Sequence, residues 1–167
     1  IEAGFPVVSD GEKEGIKSIV RQKLDTEVCA LARTVQSDID SAMDCGVDYV
    51  HTFIATSDIH MKYKLNMTKE QVLERAIWAV EYAKKHGLDV EFSAEDATRS
   101  DRDFLIKVFK SVQEAGANRI DIPDTVGYAT PEYISSLVKE VSENISIPIS
   151  MHCHDDFGQA VANSLAG

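Results

Sequence analysis

The sequence predicts an α/β protein built as an incomplete (β/α)8 TIM barrel, and three observations carry that prediction. Short β-prone runs alternate with segments of helical period along the whole chain, with no linker or low-complexity stretch between them. Glycine stops three of the helical segments just before the next run, at Gly46, Gly87 and Gly116. Polar side chains recur at the carboxyl ends of successive runs: Glu2, Arg33, His51, Ser93 with Glu95, Asp124 with Thr125, and His152 with His154. An open doubly wound sheet would gather its chemistry at one switch point, and its dinucleotide-binding form needs G-x-G-x-x-G at the first turn, where Gly4-Phe5-Pro6 offers nothing similar. A barrel instead brings every strand end to one mouth.

The elements follow in order. Residues 1–6 are a strand, and 9–23 a helix with a Ser/Asp cap and Ile16, Ile19 and Val20 at helical spacing. Residues 27–32 are a second strand and 36–45 a helix with Ile39, Ala42 and Met43 on one face. A third strand, 47–55, leads through a loop carrying Ser57 and His60, the latter expected in solvent, to a long helix over 68–86. Thr68 with Gln71 three residues on is the pattern in which each side chain bonds the other's backbone N–H at a helix start. Its stripe Val72, Ala76, Ile77, Val80 is core, and Trp78 at the edge of the stripe is placed to face a neighbouring subunit in an expected homodimer. Strand 88–94, helix 100–115, strand 118–122, helix 130–144 with Pro131 in its first turn, strand 147–153 and a helix begun at 157–166 complete the series. Glu132, Lys139, Glu140 and Glu143 form a solvated helix face, and Asn163 is structural. A full barrel takes about 250 residues. Residues 1–167 are therefore expected to be part of one barrel domain, with the first strand and the C-terminal part missing.

With 167 residues and 44% hydrophobic content, the chain is long enough to bury one core. A formal charge of −11 opposes binding to nucleic acid or an anionic membrane surface, since a phosphate backbone demands a basic face. No apolar run reaches the roughly 20 residues that span a bilayer, and no basic segment precedes an apolar signal core. Cys29, Cys45 and Cys153 are scattered and odd in number, which fits reduced thiols. A cytoplasmic location is expected.

The chemistry concentrates at 147–158, an apolar run ending in His-Cys-His-Asp-Asp. Strand side chains alternate faces, so His152 and His154 share one face while Met151 and Cys153 point the other way. Two neutral imidazoles in phase on a rigid strand end are natural ligands for a divalent ion such as Zn. By the same alternation Glu91, Ser93 and Glu95 share an inward face. Arg33 is placed either to pair with Glu2 or Glu95 inside the mouth or to bind substrate.

Five segments then carry a resemblance: Ile1-Glu2-Ala3-Gly4-Phe5-Pro6; 51–60, from His51 through Ser57 to His60; Glu91-Phe92-Ser93-Ala94-Glu95-Asp96; 122–128, containing Pro123-Asp124-Thr125; and His152-Cys153-His154-Asp155-Asp156-Phe157-Gly158. In this order they resemble the 2-isopropylmalate synthase family of metal-dependent Claisen-condensing barrels, which includes citramalate and homocitrate synthases. The family pattern usually has Asn where this chain has Asp155. The resemblance implies an acyltransferase that condenses acetyl-CoA with a 2-oxo acid, 3-methyl-2-oxobutanoate in the leading reading, to give 2-isopropylmalate for leucine synthesis. Citramalate synthase, homocitrate synthase and a carbon–carbon lyase of the same superfamily are the alternatives, and the fragment alone is expected to be inactive. It implies a divalent metal (Zn, Mn or Mg) with His152 and His154 as two ligands and an aspartate upstream of Ile1 as a third. Glu95 and His51 are the implied catalytic residues, Glu95 as an acid/base or substrate-orienting carboxylate and His51 as a substrate-contacting imidazole; Ser93 binds substrate, and Thr125 bonds the oxo-acid carboxylate. Asp124 and Gly127 shape the turn.

Overall fold

A computed structural model describes residues 1–167. Five parallel strands, β1 (Cys29–Arg33), β2 (Tyr49–Ala55), β3 (Asp89–Glu95), β4 (Arg119–Asp124) and β5 (Ile149–Cys153), lie side by side in chain order. Each is reached from its predecessor through a helix, which is the connection that parallel strands require. The helices are α1 (Asp10–Val20), α2 (Gln36–Met43), α3 (Asp58–His60), α4 (Lys69–Lys85), α5 (Arg102–Glu114), α6 (Pro131–Ser142) and α7 (Ala160–Ala166).

The expected first strand at 1–6 is reduced to a single bridge between Glu2 and Cys29. Cys29 N–H donates to the Ile1 carbonyl and Ala3 N–H to the Cys29 carbonyl, both at 2.8 Å, but Leu31 N–H then bonds Gly4 O at 2.9 Å, one residue beyond the regular partner. The ladder slips at Gly4, where φ is +140°, and cannot resume because Phe5 N–H turns to Glu12 Oε1 and Pro6 has no N–H. The bridge still suffices to hang Glu2 beside the sheet.

The helix starts follow the sequence closely. Ser9 caps α1 by accepting the Glu12 N–H, and Thr68 and Gln71 satisfy each other's backbone N–H groups at the start of α4. Asp101, one residue into the expected helix 100–115, accepts the Phe104 N–H and starts α5; Thr130 caps α6 with Pro131 in its first turn. α7 begins at Ala160 because Asp155 to Gly158 closes a turn, Gly158 N–H on Asp155 O at 3.0 Å with Gly158 at φ +70°. The expected loop after β2 is ordered as α3 and one wide π turn, Met61–Leu65, closed by Asn66 in the left-handed region.

Strand alternation divides the sheet's faces. Val50, Ile54, Val90, Phe92, Ile120 and Ile122 point toward the helices, where Val72, Ala76, Val80, Leu105, Val108 and Phe109 meet them, all buried. Burying one such aliphatic or aromatic side chain contributes about 1.5–3 kcal/mol, so this layer fixes the strands and leaves the opposite face free for polar groups. Trp78 is half-buried at the edge of the layer and stacks on Tyr82 at 5.2 Å. On α6, Glu140 departs from the expected solvated face: it is half-buried and binds Arg102 Nη1 at 2.7 Å. Cys29, Cys45 and Cys153 are free thiols, and burial, with the charges of Glu2 and Glu91, pushes Cys29 up to about 12. No helix is long and apolar enough to cross a membrane.

Candidate active site

The polar face of the sheet lines a cavity of about 210 Å3 at the carboxyl ends of the strands. Glu2, His51, Ser93, Glu95, Asp121, Thr125, His152 and His154 supply its polar wall, and Leu31, Phe53 and Pro123 its apolar part. The parallel register explains the gathering: Leu31 pairs with His51, Phe53 with Ser93, Ser93 with Asp121, and Pro123 with His152, so side chains of equal phase reach one level.

His152 and His154 lie on the same face, their rings stacked with centroids 5.0 Å apart and 20° between planes. The placement of His154 rests on the neighbouring turn. His154 N–H donates to Asp124 O at 3.2 Å, and Asp124 is itself fully buried, accepting from Thr98 Oγ1 at 2.9 Å and from Ala129 N–H at 3.2 Å. Asn163 Nδ2 closes the same turn on Ala129 O at 2.9 Å, the structural role expected of it. Gly127 sits at φ +59°, and a Cβ there would lie 2.8 Å from both His154 O and Asp156 N. Gly127→Ala is therefore expected to destabilise the fold by about 1–2 kcal/mol from the backbone conformation alone, and to displace His154. Thermal denaturation measures the first effect and metal titration the second.

Arg33 does not pair with Glu2 or Glu95. Its guanidinium grips Asp38 in the first turn of α2, Nε to Oδ2 at 2.6 Å and Nη2 to Oδ1 at 3.1 Å, and Asp38 is 1% exposed. The two-point fork outcompetes a longer reach across the mouth, because Asp38 also takes the Arg33 backbone N–H at 3.2 Å. Arg33 borders a second cavity with Lys64, Arg75 and Glu95, beside the first.

Glu95 is instead held by Lys64 Nζ at 2.5 Å, with His60 Nδ1 3.4 Å away. His60 is not a solvated loop side chain; α3 turns it inward toward Glu95 and Asp96. Ser57 is fully buried and donates to Asp96 Oδ2 at 2.5 Å. Asp96 also receives Arg99 Nε and Nη2, each at 2.8 Å, and its backbone N–H donates to Thr125 Oγ1 at 2.9 Å.

The whole chain, residues 1–167, matches the profile of the HMGL-like family. The chain belongs to the HMGL-like family. Among curated relatives it is 60% identical over 166 residues to a probable 2-isopropylmalate synthase of Methanopyrus kandleri, covering 99% of this chain and 33% of that protein. It is 54% identical over 164 residues to the (R)-citramalate synthase of Methanocaldococcus jannaschii, covering 98% and 33%. The chain thus spans about a third of the length of the curated relatives it matches. The crystal structure of hydroxymethylglutaryl-CoA lyase from Pseudomonas aeruginosa superposes with a TM-score of 0.82 at 25% identity, over 98% of this chain and 58% of that one.

In this HMGL-like chain no group of three or more His, Cys, Asp or Glu side chains is spaced to hold a metal ion. The donor chemistry of His152 and His154 nevertheless fits a divalent ion: two adjacent imidazoles on a rigid strand end, opening on a polar cavity, leave further positions for other ligands. His51 Nδ1 lies 3.0 Å from Glu2 Oε1 and Nε2 lies 2.8 Å from Ser93 Oγ. Burial works to lower the His51 pKa, but the hydrogen bond and charge of Glu2, with Glu91 and Asp121, outweigh it and leave the imidazole raised. The same hydrogen bond holds Glu2 below the usual carboxylate range. A raised histidine contributes stability below its unfolded value, 6.5, and loses it as pH rises through the folded value. A lowered carboxylate contributes above its unfolded value, 4.5, and loses it as pH falls. The two conditions overlap between pH 4.5 and 6.5. The gap in thermal midpoint between the protein and Glu2→Gln should be widest in that window and narrow on either side.

Sequence reasoning passed over Asp121, Asp96 and Lys64. For Asp121 the signal was present, since Asp121 alternates with buried Ile120 and Ile122 along β4.

Proposed function

We propose that this chain is part of the catalytic barrel domain of an acyltransferase that condenses acetyl-CoA with a 2-oxo acid, 3-methyl-2-oxobutanoate, to give 2-isopropylmalate in leucine synthesis. The observation that carries the reading is the convergence of His152 and His154 with Glu95, Thr125, His51 and Ser93 on one cavity. A divalent ion, Zn, Mn or Mg, held by His152 and His154 supplies Lewis-acid polarisation of the oxo-acid carbonyl. Thr125 Oγ1 already accepts the Asp96 N–H, so its own proton is free to donate to the substrate carboxylate. Glu95, fixed by Lys64, takes the methyl proton of the acetyl group, and His51 and Ser93, whose polar atoms are already bonded to Glu2, to each other and to Asp121, line the same cavity.

Substrate choice follows from what lines the cavity. Leu31 and Phe53 offer an apolar wall to a branched alkyl group. The second carboxylate of a homocitrate precursor would want a free cation, and Arg33 is committed to Asp38. Pyruvate differs from the branched acid by methyl groups worth about 1–3 kcal/mol in a pocket, which makes citramalate synthesis the near competitor. Free-thiol release from acetyl-CoA by the intact protein, run with 3-methyl-2-oxobutanoate, pyruvate and 2-oxoglutarate in turn, tests this. The branched acid should give the highest kcat/KM; a preference for either of the others removes the assignment of substrate.

A further inference from the structure

Four side chains from the N-terminal segment to β4 form one hydrogen-bonded row whose protons can be counted. Glu2 Oε1 meets His51 Nδ1 at 3.0 Å, His51 Nε2 meets Ser93 Oγ at 2.8 Å, and the Ser93 hydroxyl donates to Asp121 Oδ2. His51, Ser93 and Asp121 are 6%, 5% and 2% exposed, so water does not complete the row. An ionised carboxylate only accepts, so Glu2 requires a proton on Nδ1. Ser93 owns a single proton. When that proton goes to Asp121, Oγ must accept from Nε2, both ring nitrogens carry hydrogen, and His51 is an imidazolium. When Asp121 carries the proton, the hydroxyl turns to donate to Nε2, and His51 is the neutral Nδ1–H tautomer. The two arrangements contain the same atoms and differ by one proton passed through the hydroxyl: Nε2–H leaves nitrogen for Oγ as the Oγ proton leaves for Oδ2.

We propose that Asp121 is a positioning residue which, acting through the Ser93 hydroxyl, sets whether His51 presents itself to the cavity as imidazolium or as neutral imidazole. The consequence for catalysis rests on the proposed synthase reading; the proton linkage stands without it. Other titratable groups face the row: Glu91 on β3, ion-paired with Arg119 Nε at 3.0 Å, and His152 on β5, which acts on both Glu2 and Asp121 only when its ring is protonated. Ser150 Oγ also reaches Asp121 Oδ1 at 3.2 Å while donating to Glu91 at 2.5 Å. Burial raises Asp121 while its neighbours raise His51, a convergence that suits two groups sharing one proton.

Histidine-selective 15N NMR of the intact protein, without substrate, reads the protonation of each ring nitrogen directly. His51 is assigned by the loss of its signals in His51→Asn. Asp121→Asn removes the charge that an imidazolium faces, and Ser93→Ala removes the hydroxyl while leaving the charge. In both variants the Nε2 proton should be lost at lower pH, the His51 midpoint falling by about one pH unit, while Nδ1 stays protonated against Glu2. A wild-type midpoint in Ser93→Ala means that the hydroxyl carries no linkage, and one in Asp121→Asn means that the carboxylate sets nothing; either overturns the proposal. Should Asp121→Asn fail to fold, Ser93→Ala, which deletes a single oxygen, decides alone. Absence of thiol release would refute the synthase reading and leave this NMR result untouched.

Discussion

His152→Ala in the intact protein should weaken divalent-metal binding by about tenfold or more, at the scale by which even indirect partners of a metal ligand act. The argument is geometric. His152 and His154 lie on one face with stacked rings, and His154 is pinned from behind by Asp124 O and Gly127, so neither imidazole can swing to replace the other. The side chain is exposed at the mouth, and its loss opens no cavity in the core. Calorimetric titration of the metal-stripped protein measures the change, with His154→Ala as the matched partner. Unchanged affinity in both would remove the pair as ligands.

Glu95→Gln should lower kcat by about a hundredfold or more, the range for a positioned acid or base, while leaving the fold intact. Glutamine keeps the shape and can still accept from Lys64, but it cannot take a proton from carbon. Glu95 is the last residue of β3, and its backbone carbonyl accepts the Thr56 N–H at 3.0 Å, a bond the substitution does not touch. Steady-state rates with saturating acetyl-CoA, alongside circular dichroism, separate chemistry from folding. Activity within about twofold of the parent would make Glu95 a bystander. Lys64→Met tests the same carboxylate from the other side, because the 2.5 Å ion pair fixes its direction.

Much of the fold was legible because it depends on short-range rules. The in-phase histidines, the paired caps at Thr68 and Gln71, and Pro131 at a helix start are all decided within four residues. Arg33 was not legible in the same way. Alternation correctly put it at the strand end, but its choice of Asp38 over Glu2 or Glu95 depends on where the first turn of α2 lands. His60 was misplaced for a related cause: a run such as Ser57-Asp58-Ile59-His60 has no strong period, and only packing against Glu95 and Asp96 shows that His60 turns inward. The first strand was overread because an apolar opening looks like a strand whatever Gly4 and Pro6 do to its ladder. Glu95, His51, Ser93, Thr125, His152 and His154 came together in the cavity without Arg33, and Asp121 was passed over although its alternation with Ile120 and Ile122 marked its face.

The central claim is that the cavity condenses acetyl-CoA with a 2-oxo acid on a metal held by His152 and His154. Its most direct test is free-thiol release from acetyl-CoA with 3-methyl-2-oxobutanoate by the intact protein, followed before chelation, after chelation, and after a divalent ion is restored. The account predicts oxo-acid-dependent release that the chelator abolishes and the ion brings back. Release that continues at full rate after the metal is removed, or none with the ion present, would contradict it.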